Sequence, residues 1–189
     1  MRCGSRSLLA PVLVLAACTG ALAQTPAFNV GRTPTAEEIK AWDISIAPDG
    51  KGLPPGSGTT LQGAPIYARK CAACHGSEGT GGKAPALVGG KGTLTSITPV
   101  KTVGSFWPFA TTIWDYINRA MPLGAAGTLP ADEVYSMTAY LLYRNGIIGE
   151  SDAMDAKSLP KIQMPNRNNF VPPALQDINR LRCRDGSCP

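Results

Sequence analysis

The stretch YARKCAACHGSEGTGGKAPALVGG, residues 67–90, holds two cysteines three positions apart and a histidine directly after the second. Three chemistries use such a cluster. A structural zinc site wants four Cys or His ligands. Cys71 and Cys74 have the spacing, but the only cysteines able to complete the set, Cys183 and Cys188, lie over a hundred residues downstream, and His75 would be left without a part. A redox dithiol of the C-x-x-C type needs a βαβ setting, and no such pattern surrounds residues 71–74. The third chemistry is covalent attachment of haem, in which both thiols of C-x-x-C-H add across the vinyl groups and the histidine ligates iron. On a helix, positions 71, 74 and 75 are related by i+3 and i+4, so the three side chains project from one face toward one flat ring. The pentapeptide reads as a haem c site, with Cys71 and Cys74 as covalent anchors and His75 as the proximal iron ligand.

The N-terminus agrees with this chemistry. In MRCGSRSLLAPVLVLAACTGALAQTP, Arg2 and Arg6 precede an uncharged apolar run from Leu8 to Ala17, and Ala21-Leu22-Ala23 is an A-x-A cleavage signal. The run is about ten residues, half the ~20 needed to span a bilayer. Residues 1–23 are therefore expected to be a signal peptide, and the protein to be periplasmic. Leu15-Ala16-Ala17-Cys18 also has the form of a lipobox, which would instead leave Cys18 as a lipid anchor. Loss of residues 1–23 removes Arg2 and Arg6, leaving 16 basic against 13 acidic residues, net +3. No run of Lys or Arg exceeds two residues, which excludes a nucleic-acid-binding surface.

Three zones follow the leader. Residues 24–60 are rich in proline and end in PPGSGTT, an irregular N-terminal extension. Residues 61–148 carry the helical signals, and residues 149–189 return to proline and asparagine as a C-terminal extension. Trp42, Ile44, Ile46, Phe170 and Val171 predict that part of each extension packs. In the middle zone a first helix is expected from about Ala64 to His75, with Pro65 near its first turn. A second, residues 111–120, places Ile113, Trp114 and Ile117 on one face and stops before Pro122. A third begins at ADEV with Asp132 and Glu133 in its first turn, and Val134, Met137, Thr138, Leu141 and Leu142 form its apolar stripe. Gly146 is placed to close it in the left-handed conformation. The expected fold class is all-α, with long loops wrapped around a large cofactor.

His75 is the only histidine in the chain, so the sixth iron ligand must be a methionine, another weak donor or an exogenous molecule. Of the four methionines after the leader, Met137 lies on the apolar stripe and Met154 in an acidic turn. Met121 and Met164 both precede proline and both lie off the helices. Met121, in the loop joining two helices, is the preferred distal ligand, with Met164 as the alternative. Cys183 and Cys188, in CRDGSC, flank a turn-forming Asp-Gly and suit a small disulfide loop.

Over residues 61–148 the chain resembles class I cytochromes c. Gly63 and Tyr67 match the small and aromatic positions at which that family's first helix crosses its last, and Tyr140 the aromatic position on the last helix. KAPALVG, residues 83–89, is similar to the loop whose proline carbonyl accepts the proximal imidazole N–H, which the resemblance places at Pro85. AMPLGAAGTLPADEVYSMTAYLL resembles the methionine loop and puts Met121 at the ligand position. VGSFWPFATTIWDYINRAMP, VYSMTAYLLYRNGII and DAKSLPKIQMPNRNNFV further resemble cytochrome subunits of bacterial sulfite and sulfane dehydrogenases, the SoxD-like group, which accept electrons from a molybdenum subunit. SoxD itself has two haem motifs and this chain has one, a monohaem relative. The resemblance implies single-electron transfer from a molybdenum dehydrogenase to another cytochrome or an oxidase, with no catalytic residue of its own. Lys70, Lys83, Lys91 and Lys101 are candidates for steering an acidic partner. Two other readings stay open: a haem enzyme such as a thiosulfate dehydrogenase, or a gas-binding haem module with a labile distal ligand.

Overall fold

Residues 30–171 are described in the computed structural model of the chain. The expected leader with Cys18, and the expected Cys183–Cys188 disulfide, lie outside them. The chain divides into two units after Trp42. In the first, helix α1 (Ala36–Trp42) starts from a T-x-x-E capping box. The Glu38 N–H donates to Thr35 Oγ1 (3.2 Å), and the Thr35 N–H donates to the Glu38 carboxylate (2.8 Å). Arg32 pairs with the same carboxylate. Ile39 and Trp42, one turn apart, are both exposed.

The second unit holds β1 (Ser57–Thr59), α2 (Thr60–Lys70), α3 (Ala72–His75), α4 (Ala110–Ala120), α5 (Ala131–Arg144), β2 (Ala153–Asp155) and a 3₁₀ turn, Leu159–Lys161. The first helix begins four residues before the expected start. Thr59 and Gln62 form a second capping box: Thr59 Oγ1 accepts the Gln62 N–H, and Gln62 Oε1 accepts the Thr59 N–H. Pro65 consequently falls inside α2, not in its first turn. α4 ends as expected, with Met121 extended at φ −123° and ψ 151° ahead of Pro122. α5 closes through Gly146 at φ +67°, where the Gly146 N–H reaches Tyr143 O and the Ile147 N–H reaches Leu142 O.

The core forms where α5 crosses α2 and α4. Ile113, Trp114, Ile117, Val134, Met137, Thr138, Leu141 and Leu142 are all buried, as the two apolar stripes predict, and Tyr135 joins them. Gly63 makes the crossing possible. A Cβ there would stand 2.1 Å from Ser136 O and 2.6 Å from the Tyr140 Cβ, so only hydrogen fits. One turn on, the rings of Tyr67 and Tyr140 pack 5.2 Å apart.

The two extensions meet as an antiparallel ribbon over α5, with Gly58 opposite Met154. Met154 is therefore a buried strand residue, not part of an exposed acidic turn. Asp115 on α4 holds the first extension: its Oδ1 accepts the Ile46 N–H (3.0 Å) while its Oδ2 accepts from Arg119 (2.7 and 2.9 Å). Part of each extension packs, as expected: Ile46 rests on the core from the first, and Met154, Leu159 and Met164 are buried in it from the second, while Ile44, Phe170 and Val171 stay exposed.

Candidate functional site

α2 ends at Cys71, and one further turn, α3, carries the motif. The Cys74 and His75 N–H groups both return to Cys71 O (3.1 and 3.0 Å), and the Gly76 N–H returns to Ala72 O (2.8 Å). This single turn brings Cys71, Cys74 and His75 to neighbouring positions on one face. Tyr67 anchors the turn from the preceding helix, its hydroxyl donating to Gly76 O at 2.8 Å. Burial pushes the Tyr67 phenol up to about 12, with the nearby Cys71 thiol adding to the effect.

The loop after the motif folds back under the imidazole. The Ala84 N–H donates to Cys74 O (2.8 Å), and the Leu87 N–H donates to Gly79 O (2.8 Å). Between these tethers, Pro85 O lies 2.8 Å from His75 Nδ1. A carbonyl only accepts, so Nδ1 carries the proton and the neutral ring presents Nε2 as its free lone pair. The tautomer is thus set by the backbone of residue 85.

Cys71 and Cys74 are unpaired thiols. Burial, followed by the neighbouring Cys74, pushes the Cys71 thiol up to about 11, with Lys70 opposing. A thiol that attacks disulfides is activated by a depressed pKa; that of Cys71 is raised. Among the described residues no group of three or more His, Cys, Asp or Glu side chains is arranged to hold a bare metal ion. Two unpaired thiols and one imidazole with Nε2 free are instead the donor set of a covalently attached haem, and the residues fit that group.

The two candidate methionines lie in different surroundings. Met121 caps α4, half-buried, with its N–H on Ile117 O (3.1 Å). Met164 is 3 % exposed within the hydrophobic core, two residues before Asn166, whose Nδ2 donates to Phe106 O (2.7 Å). Met137 is core, at 2 % exposure. Of the four lysines, Lys70 lies 3.9 Å from Glu133 and Lys101 sits over the Phe106 ring (5.0 Å), while Lys83 and Lys91 are exposed. Sequence reasoning missed Asn145. The side chain spans from α5 to the 87–89 loop, and periodicity carries no signal for such a tether.

Residues 58–141 match the family described as cytochrome C oxidase, cbb3-type, subunit III. The chain is also similar to a chain in the crystal structure of the sulfane dehydrogenase SoxCD from Paracoccus pantotrophus. Identity is 37 %, over 86 % of this chain and 83 % of that one, with a TM-score of 0.73. No curated protein matches. Among the described residues no helix is long and apolar enough to cross a membrane.

Proposed function

We propose, from the premise that this chain belongs to the cytochrome c family and has a covalently bound haem c as its cofactor, that it is a periplasmic monohaem electron carrier. Its donor in this reading is a molybdenum-containing sulfite or sulfane dehydrogenase, as subunit or transient partner, and its acceptor another cytochrome or an oxidase. One observation carries the assignment of the donor. The likeness to the SoxCD chain runs over 86 % of this sequence, well beyond residues 58–141, so it takes in extension as well as haem domain.

The geometry supports the following residue roles. Cys71 and Cys74 form the two thioether bonds, and His75 binds iron through Nε2, the nitrogen that the Pro85 contact leaves free. Met121 is the distal ligand: it sits at a helix end in a loop, while Met164 is enclosed by core side chains. The bound haem supplies a one-electron ferric/ferrous couple. The protein's task is to hold its orientation and set its potential. With haem bound, the Pro85 carbonyl would make His75 a stronger donor to iron, and a thioether ligand from Met121 would favour the ferrous state. Residues 24–60 and 149–189 are, in this reading, N- and C-terminal extensions of the haem domain, residues 61–148.

The test is electron transfer from a purified donor. A sulfite- or sulfane-oxidising molybdenum dehydrogenase should reduce the ferric protein in the presence of its substrate. Reduction by an alcohol or sugar dehydrogenase instead, with none by the sulfur enzyme, would overturn the donor assignment.

A further inference from the structure

The proximal carbonyl is positioned by a short loop, and something must hold that loop against the body of the protein. Its N-terminal side is tied to the haem-binding turn itself, through the Ala84 N–H to Cys74 O and the Leu87 and Val88 N–H groups to Gly79 O. Those tethers move with the motif and give no external reference. The link between the 87–89 segment and α5 is the side chain of Asn145, at the C-terminus of that helix. Asn145 Nδ2 donates to Leu87 O (3.1 Å) and to Leu141 O (2.8 Å), and Oδ1 accepts the Gly89 N–H (3.1 Å). Both donors and the acceptor of one amide are thereby used to join the loop to the last turn of α5.

The surroundings are shaped to this amide. Gly104 lies flat against it: a Cβ at position 104 would come 2.3 Å from Asn145 Cγ. Behind Gly104, Thr102 Oγ1 donates to Gly89 O (2.8 Å), so the residue that Asn145 holds by its N–H is held again by its carbonyl. Among the described helices α5 is the most buried, with nine consecutive buried residues from Val134 to Leu142. It is a rigid frame, and Asn145 transfers that rigidity to the loop.

We infer that Asn145 is a positioning residue for the proximal imidazole: it fixes the 85–89 loop to α5 so that Pro85 O stays on His75 Nδ1, and through that bond it sets the donor strength of His75. The inference rests on the reading of His75 as the iron ligand. Loosening the loop weakens the Nδ1–H···O bond, and a less strongly polarised imidazole donates less charge to iron. Ferric iron loses more than ferrous, so the reduction potential rises.

The chain has one histidine, so ¹⁵N-histidine labelling of the ferrous holoprotein reports on His75 alone. Wild type should show an iron-bound Nε2 and a slowly exchanging Nδ1–H. In Asn145→Ala and Gly104→Ala, Nδ1–H exchange should quicken about tenfold, the factor one net hydrogen bond carries, and the midpoint potential should rise. Thr59→Ala is the control: it removes the capping bonds at the far end of α2 and should lower thermal stability without moving either readout. Unchanged exchange and potential in both Asn145→Ala and Gly104→Ala overturn the inference, as does an equal shift in Thr59→Ala. An Nε2 free of iron in wild type overturns the ligand assignment itself, and is read before any variant is made.

Discussion

Met121 and Met164 show how much one side chain decides at this site. Each is followed by proline and neither lies in an α-helix, yet Met164 is enclosed in the core while Met121 stands half-buried at the end of α4. If Met121 is the thioether ligand, the ferric protein shows a methionine-to-iron charge-transfer band that Met121→Leu abolishes and Met164→Leu keeps. Absorption spectra of the two variants check this, and the reverse pattern would exchange their roles. Met164→Leu in turn should cost less than about 1.5 kcal/mol of stability, the range for a volume-conserving core exchange, measured by chemical denaturation. At the motif, the clustering of the three candidate donors was legible from CAACH because local helical spacing alone makes them neighbours. The hydrogen bond from His75 to Pro85 O joins residues ten apart through a loop with no periodicity, and family resemblance, not pattern, pointed to it.

At the scale of elements, the helices are specified by their ends and by one crossing. The T-x-x-Q capping box at Thr59 starts α2 earlier than its apolar pattern, because two backbone N–H groups find side-chain acceptors there. Thr59→Ala should destabilise the protein by about 1 kcal/mol, read as a lower midpoint in urea. The α2–α5 crossing is stricter. Gly63→Ala puts a methyl group within 2.1 Å of backbone at Ser136, which a packed helix can relieve only by moving. The expected loss is about 1–3 kcal/mol, the usual cost of overpacking; a neutral result in thermal melts would mean the helices slide apart easily. The apolar stripes of α4 and α5 were readable because 3.6-residue periodicity encodes a buried face directly. Met154 was not, since a three-residue strand has too few positions to show alternation, and its burial depends on a partner strand about a hundred residues away.

Across the whole molecule, tyrosines link stability to pH. Burial pushes Tyr67 and Tyr135 up to about 12 from an ordinary value near 10, with the charges of Asp155 and Asp132 adding at Tyr135. Between these values the unfolded chain releases phenol protons that the folded chain keeps, so the unfolded state binds fewer protons and stability falls as pH rises. The contribution is complete below about pH 10 and is lost as pH passes through about 12. Thermal melts from pH 8 to 12, with tyrosinate absorbance followed in parallel, should show Tm falling only in that upper window; a decline that begins near neutrality would mean other groups dominate.

Local sequence by itself determined the cofactor chemistry, the placing of the three candidate donors on one helical turn and the buried faces of α4 and α5, because each depends on residues within one or two turns of each other. Tertiary structure alone decided the rest. It placed Pro85 beneath His75, closed α2 on α5 at Gly63, buried Met154 and Met164, and put the Asn145 amide between α5 and the proximal loop. These contacts join segments from 10 to about 100 residues apart. Which of them form is set by how the helices pack, and packing is a property of the folded chain as a whole.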